Sequence, residues 1–221
     1  MIQTHNVTKT YSGAEGPVHA LDGVDLSIQA GDFVVVHGSS GSGKTTLLQA
    51  LGGMLRPTSG TVVIQGDDIY ALSTVRRGQY RKRHVGFIFQ KFFLLPYLTA
   101  FDNIRLSMVL RGHRGNHKQT IEDVATRLGM GNRLGHRPSQ LSVGEQQRIA
   151  VARAIVGEPQ LILADEPTGN LDRKNAEVFA SFLSEENQRG RTIVLVTHDE
   201  SLLDLGNRTV QLRSGQISGT A

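Results

Sequence analysis

Gly38-Ser39-Ser40-Gly41-Ser42-Gly43-Lys44-Thr45 fits the pattern G-x4-G-K-[ST]. It follows an apolar run, Phe33–Val36, and opens a stretch whose apolar positions Leu47, Leu48 and Leu51 are spaced as on a helix. A strand, a glycine-rich turn and a helix in that order make a cradle for phosphate. Glycines and small serines let backbone N–H groups wrap the anion, and the helix N-terminus adds its positive dipole. Lys44 is expected to reach the β- and γ-phosphates of a nucleotide and the Thr45 hydroxyl to ligate Mg²⁺, with Thr46 beside them in the same helix turn.

The second half of such a site lies far along the chain. Leu161-Ile162-Leu163-Ala164-Asp165 is an apolar run that ends in a carboxylate, and Glu166 follows it. Asp165 is expected to hold the Mg²⁺ shell, and Glu166 to orient and polarise an attacking water as a general base. Another apolar run, Thr192–Val196, leads to His198, placed to contact the γ-phosphate and to orient Glu166. Strand-like runs also occur at Val62–Ile64, Val85–Phe89 and Val210–Leu212. Those at 33, 161 and 192 are nearly all apolar, as in parallel strands buried on both faces, with polar residues at their carboxyl ends where open α/β sheets bind ligands. The first thirty residues alternate (Ile2, Val7, Leu21, Val24, Leu26, Ile28) and read as a small antiparallel layer. Between Gln90 and about Gly157 helical patterns replace strands, as in Thr120–Leu128 and Gly144–Ile155.

Bulk properties fit one large domain: 221 residues, 38% hydrophobic, 20% charged, with 25 glycines for tight turns. The absence of cysteine excludes disulfide and thiol chemistry and agrees with a cytosolic setting. The 24 basic residues are offset by 20 acidic ones, so the net charge of +4 does not argue for nucleic acid. The densest basic run, Arg76, Arg77, Arg81, Lys82, Arg83 and His84, reads as a solvated helix face. His113 and His117 are four apart and could share a helix face, but no carboxylate or cysteine completes a zinc set. No secretory leader is recognised at the N-terminus, and no apolar stretch approaches the ~20 residues of a membrane span.

Leu141-Ser142-Val143-Gly144-Glu145-Gln146-Gln147 narrows the field. Ser142 and the Gly144 amide stand at a helix start suited to an anion, yet the loop at Gly38–Thr45 already serves the chain's own nucleotide. With these motifs in this order, the whole chain resembles the ATP-binding subunits of ABC transporters. That resemblance implies a P-loop NTPase, RecA-like α/β core (1–89 and 158–221) with the antiparallel β layer, and an inserted α-helical subdomain (90–157), all in one domain. It implies that Tyr11 stacks on adenine, that Gln90 contacts Mg²⁺ and the water and senses the membrane subunit, and that Gly169-Asn170-Leu171-Asp172 is the loop through which two subunits communicate. Ser142, Gly144 and Glu145 would then face the γ-phosphate held by a second copy of the chain. Two chains would sandwich two ATPs head to tail, on the cytoplasmic face of the cell membrane against integral permease subunits, without nucleic acid. Val143 departs from the pattern, where glycine is more usual.

Gly38–Gly43, Leu51-Gly52-Gly53, Leu94-Leu95-Pro96, His136-Arg137-Pro138-Ser139 and Ala164–Asp172 are similar to the lipoprotein-releasing LolD group and to macrolide-exporting MacB ATPases. A cell-division regulator of the FtsE type has the same chemistry at the ATP site and stays open as an alternative. DNA-maintenance relatives would carry a long coiled coil between Gln90 and Leu141, where this chain has only about fifty residues without sustained heptads. Ribosome-associated relatives would carry two tandem cassettes, and each motif here occurs once. Phe92, Phe93, Leu94 and Leu95, just after Gln90, are the expected landing site of a short permease helix.

Overall fold

The structure, a computed structural model, describes residues 1–14 and 16–220; Glu15 and Ala221, both inside the single-domain reading, lie outside the described residues. Two sheets divide the strands. β1 (Ile2–Gly13), β2 (Gly16–Ile28), β4 (Ser59–Ile64) and β5 (Asp67–Asp68) form an antiparallel layer in the order β2-β1-β4-β5. The central sheet runs β10-β9-β3-β8-β7-β6, built from β3 (Phe33–His37), β6 (Val85–Phe89), β7 (Leu161–Asp165), β8 (Thr192–Thr197), β9 (Arg208–Arg213) and β10 (Gln216–Thr220). Its strands are parallel except the edge strand β10, which returns antiparallel along β9.

Alternate residues of each central strand enter different cores, which is why these strands read as unbroken apolar runs. Phe33, Val35, Ile162, Ala164, Ile193 and Leu195 face one core, shared with helices α3 (Ala100–Leu110), α4 (Lys118–Arg127), α5 (Val143–Ile155) and α6 (Arg173–Gln188). Val34, Val36, Leu161, Leu163, Val194 and Val196 face the other, closed by helix α1 (Lys44–Leu51) and the inner side of the antiparallel layer. No strand interrupts the chain between β6 and β7, where α3, α4 and α5 follow one another. A buried Glu186 on α6 binds Arg127 at the end of α4 and Arg191 before β8, an ion-paired cluster joining the helical segment to the core.

Two expectations are revised. His113 and His117 do not share a helix: His113 lies in the turn after α3 and His117 is the N-cap of α4, its Nε2 beside the His113 carbonyl at 3.1 Å. Among the described residues no group of three or more His, Cys, Asp or Glu side chains is gathered where it could hold a metal ion. The basic run does form a helix, α2 (Thr74–His84), but it is not wholly solvated. Arg81 donates to the Gly53 carbonyl at 2.8 Å and Arg77 lies over the Tyr70 ring, so two of its cations clamp α2 onto the core. Among the described residues, no helix is long and apolar enough to cross a membrane.

Leu163 is fully buried at the centre of β7, directly behind the Asp165–Glu166 corner. Leu163→Ala is expected to lower unfolding stability by about 2–5 kcal/mol, through lost burial and the cavity left behind. Denaturant unfolding followed by far-UV circular dichroism measures it as a fall in midpoint at unchanged slope.

Candidate functional site

The glycine-rich loop leaves β3 and is pressed between two neighbours. A Cβ on Gly43 would stand 2.1 Å from the Ala20 carbonyl oxygen of β2, and one on Gly38 would stand 2.2 Å from the Leu212 carbonyl oxygen of β9. Gly43 also has a left-handed backbone, φ 105°, at the N-cap of α1. Glycine is therefore demanded at 43 both by space and by conformation. Gly215 N–H donates to the Ser42 carbonyl at 2.9 Å and pins the loop to the β9–β10 turn.

That geometry leaves an unusual helix start. No side chain caps α1, and its first turn holds no acidic residue, so its leading N–H groups are available to an anion. The Lys44 ammonium is buried and donates to the carbonyls of Gly38 (2.8 Å) and Ser39 (3.1 Å), with Glu166 Oε1 at 3.5 Å. The buried Ser42 hydroxyl has no hydrogen-bond partner. Free amides, a buried cation and an orphaned hydroxyl are a donor set that a phosphate chain satisfies.

The acidic side is built by β7 and β8. Asp165 Oδ1 accepts from the Thr45 hydroxyl at 2.9 Å, a pairing of oxygen donors of the kind a hard divalent cation takes. Burial holds the Asp165 carboxyl above its ordinary range, and the neighbouring Glu166 charge adds to this, against the Thr45 hydrogen bond. Glu166 takes a left-handed backbone, φ 43°, with its N–H on the Val196 carbonyl at 2.9 Å. In an extended strand, consecutive side chains point to opposite faces. The left-handed turn instead brings the Glu166 carboxylate toward the cleft that Thr45 also lines. There Oε2 accepts His198 Nδ1 at 2.8 Å and His198 N–H at 3.2 Å. Since the carboxylate only accepts, Nδ1 carries the proton and Nε2 is left for other partners.

These groups line one cleft of about 570 Å³: Ser39, Ser40, Gly41, Gly43, Lys44, Thr45, Thr46, Gln90, Glu166 and His198. Gln90, at the end of β6, enters through its place beside Gly169, and its carbonyl accepts from Asn170 Nδ2 at 3.2 Å. The other residues named from the sequence sit elsewhere. Gly38, Ser42 and Asp165 form the wall behind the cleft lining, Gly38 and Ser42 within the loop and Asp165 against Thr45. Tyr11 stands exposed on β1, with the Lys9 ammonium 5.2 Å from its ring centre. Ser142 is the N-cap of α5 and closes a capping box with Glu145. The Ser142 backbone N–H and then Arg133 hold the Glu145 carboxyl down to about 2. Asp172 is the N-cap of α6, its carboxyl held low by Asn175. Ser142, Gly144, Glu145 and Asp172 are none of them in the cleft that the chain's own loop makes.

Three neighbouring contacts were not anticipated from sequence. Buried Gln147 donates to the Pro167 carbonyl, just past Glu166. Arg153 donates to the carbonyls of Phe92 (2.6 Å) and Phe93 (2.5 Å), and Arg148 to Asn175 Oδ1 at 2.7 Å. Gln147 carried a usable signal: it falls on the buried stripe of α5 with Gly144, Val151 and Ala154, where a polar side chain needs a backbone partner.

A family model described as ABC transporter matches residues 21–169. The lipoprotein-releasing system ATP-binding protein LolD of Syntrophotalea carbinolica is 42% identical over 221 residues, 99% of this chain and 97% of that protein. The macrolide export ATP-binding/permease protein MacB of Rhodopirellula baltica is 42% identical over 223 residues, which are 99% of this chain but 32% of MacB. A dimeric ATP-binding cassette solved in a post-hydrolysis state with ADP and phosphate superposes with a TM-score of 0.94 at 36% identity, covering 100% of this chain and 98% of the other.

A carboxyl held above its ordinary range is one whose ionised form the fold disfavours. Asp165 therefore costs no stability below the ordinary carboxylate range, costs increasingly as pH rises from that range to its raised value, and costs in full above it. Asp165→Asn keeps the acceptor for Thr45 and is expected to raise the melting temperature of the nucleotide-free protein at neutral pH. Thermal unfolding across acid pH should show that gain shrinking as pH falls.

Proposed function

The chain belongs to the ABC transporter family as an ATP-hydrolysing cassette, and from that premise we propose that it works as a head-to-tail homodimer that drives a membrane permease in lipoprotein release or MacB-like export. The observation that carries this reading is the division of the machinery over the surface. Lys44, Thr45, Glu166 and His198 converge in one cleft, whereas Ser142, Gly144 and Glu145 stand at the head of α5 outside it. One chain thus offers a helix head with no nucleotide of its own to meet. A second copy related by two-fold symmetry supplies that nucleotide, and each chain completes the other's site. The dimeric solved cassette and the LolD and MacB relatives support the same assembly and branch.

In this mechanism the triphosphate displaces the Gly38 and Ser39 carbonyls from Lys44 and lies along the loop amides, with adenine against Tyr11. Thr45, Asp165 and Gln90 would hold Mg²⁺, which would supply charge neutralisation to the phosphate chain. Glu166 orients and polarises the attacking water, and its carboxylate is held in place by both His198 nitrogens that reach it. His198 Nε2 turns to the γ-phosphate. The residues 90–157 act as the helical subdomain that reports this state to the membrane partner, and 1–89 with 158–221 as the core. The partner is an integral permease, as the permease portion of MacB exemplifies, and its landing site is the apolar surface beyond Gln90. Within Phe92–Leu95, Leu94 packs into the core, while Phe93 and Leu95 are exposed. Phe93 stacks edge-on against Phe89 beside a cleft of about 490 Å³ shared with Met54 and Gln90. The site sits on the cytoplasmic face of the membrane.

Glu166→Gln should bind ATP, hydrolyse it at well under a hundredth of the wild-type rate if removal of the base costs its usual factor of about 10²–10⁴, and accumulate as an ATP-bound dimer on gel filtration. Hydrolysis at the wild-type rate would remove Glu166 from the role of base. Lys44→Ala should fail earlier, losing nucleotide binding itself by equilibrium titration. The double variant Phe92→Ala/Phe93→Ala should bind ATP normally but co-purify poorly with solubilised membranes; undiminished association would place the permease elsewhere.

A further inference from the structure

Asn175, in the first turn of α6, joins the head of α5 to the N-cap of α6 and lines none of the cleft. Its Nδ2 donates to both carboxylate oxygens of Asp172, each at 3.0 Å, while Asp172 Oδ1 also accepts the Asn175 backbone N–H at 2.8 Å. Its Oδ1 accepts from Arg148 Nη1 on α5 at 2.7 Å. The neighbouring charges dictate which way the amide is turned, because the reverse orientation would set the carbonyl against a carboxylate and the NH₂ against a guanidinium. The carboxamide also lies flat against Gly144. A Cβ at that position would stand 2.7, 2.8 and 2.9 Å from Asn175 Oδ1, Cγ and Nδ2. Glycine at 144 is thus the space that admits the Asn175 amide to the head of α5.

The geometry points to Asn175 as a positioning residue for ATP hydrolysis: its carboxamide holds the Ser142–Glu145 head of α5 at one spacing from the Gly169–Asp172 loop, so that the two surfaces meet the partner cassette as one rigid piece. The inference rests on the dimer reading above and adds to it the part that sets how well the two surfaces fit. α5 and α6 share the core and Gln147 ties α5 to Pro167, but at the head of α5 the polar link to α6 is the Arg148–Asn175–Asp172 chain. Both of its ends are charged, which makes these the stronger class of hydrogen bond. A displacement of about 1 Å at a group that must reach a phosphate is enough to cost about a hundredfold in rate. A carboxamide is suited to the place: it is neutral, and it presents a donor to the anion and an acceptor to the cation at once.

The test uses the full chain with Asn175→Leu, which keeps the volume and loses both side-chain links, and Asn175→Asp, which keeps the acceptor for Arg148 and sets a like charge against Asp172. Three quantities are read: binding of a fluorescent ATP analogue to the monomer, melting temperature, and the protein concentration at which the ATPase rate per chain is half-maximal. We expect analogue affinity to hold within about twofold, and the half-maximal concentration to rise about tenfold or more in both variants, the loss of a charge-assisted hydrogen bond. A merely structural residue would lower the melting temperature and leave that concentration in place, and such a result overturns the inference. The dimer itself is read in the Glu166→Gln background on gel filtration with ATP. If Glu166→Gln dimerises and Glu166→Gln/Asn175→Leu dimerises as tightly, the assignment of Asn175 is wrong while the dimer reading stands. If Glu166→Gln alone stays monomeric with ATP, the dimer reading falls and this inference falls with it.

Discussion

The Lys44 ammonium, buried at the start of α1 and hydrogen-bonded to the Gly38 and Ser39 carbonyls, is the charge on which the arrangement of the site depends. A buried cation is costly unless its surroundings repay desolvation, and here two carbonyl dipoles and one carboxylate 3.5 Å away surround it. The same ammonium, the uncapped amides of α1 and the orphaned Ser42 hydroxyl make a donor set that suits an anion. The rest of the fold keeps these groups from relaxing. β2 presses on Gly43, β9 presses on Gly38, and the β9–β10 turn hydrogen-bonds Ser42. The antiparallel layer and the far edge of the central sheet thereby act as walls of a binding loop.

Asp165 and Glu166 show a second use of constraint. They are adjacent, yet they do different things because their backbones differ. Asp165 ends the strand in register and meets Thr45; Glu166 turns left-handed and meets His198 and Lys44. A non-glycine residue in that conformation carries a strain of the order of 1–3 kcal/mol, retained where the surroundings over-determine it. Here the fixing contacts are its N–H on Val196 and its carboxylate on His198.

α5 is the member that relates distant parts of the surface. Its head is capped by Ser142; Gln147 then reaches the Pro167 carbonyl, Arg148 reaches Asn175, and Arg153 near the tail reaches the carbonyls of Phe92 and Phe93. Through these contacts a single helix touches the Phe92–Phe93 surface, the Pro167 turn and the start of α6. The buried Glu186, gripped by Arg127 and Arg191, ties the neighbouring α4 to the core as well.

Much of this was legible in the chain itself. The loop Gly38–Thr45, the apolar runs of β3, β7 and β8, and the polar residues at their carboxyl ends are contiguous patterns, so local periodicity and a short motif suffice to read them. The polar edge strand β10 and the two-residue β5 were missed because they carry little apolar periodicity. The pairing of His113 with His117 was misjudged because a turn, not a helix, separates them. The sequence by itself determined the family of machines and set out the candidate groups for its chemistry, the loop Gly38–Thr45 and the carboxylates Asp165 and Glu166. Only the tertiary structure decided where each charge finds its partner. Thr45 meets Asp165 across 120 positions and Arg148 meets Asn175 across 27, contacts set by strand order and helix packing. Such distances through the chain leave no local pattern to read, because either partner of a long-range hydrogen bond could equally have faced water.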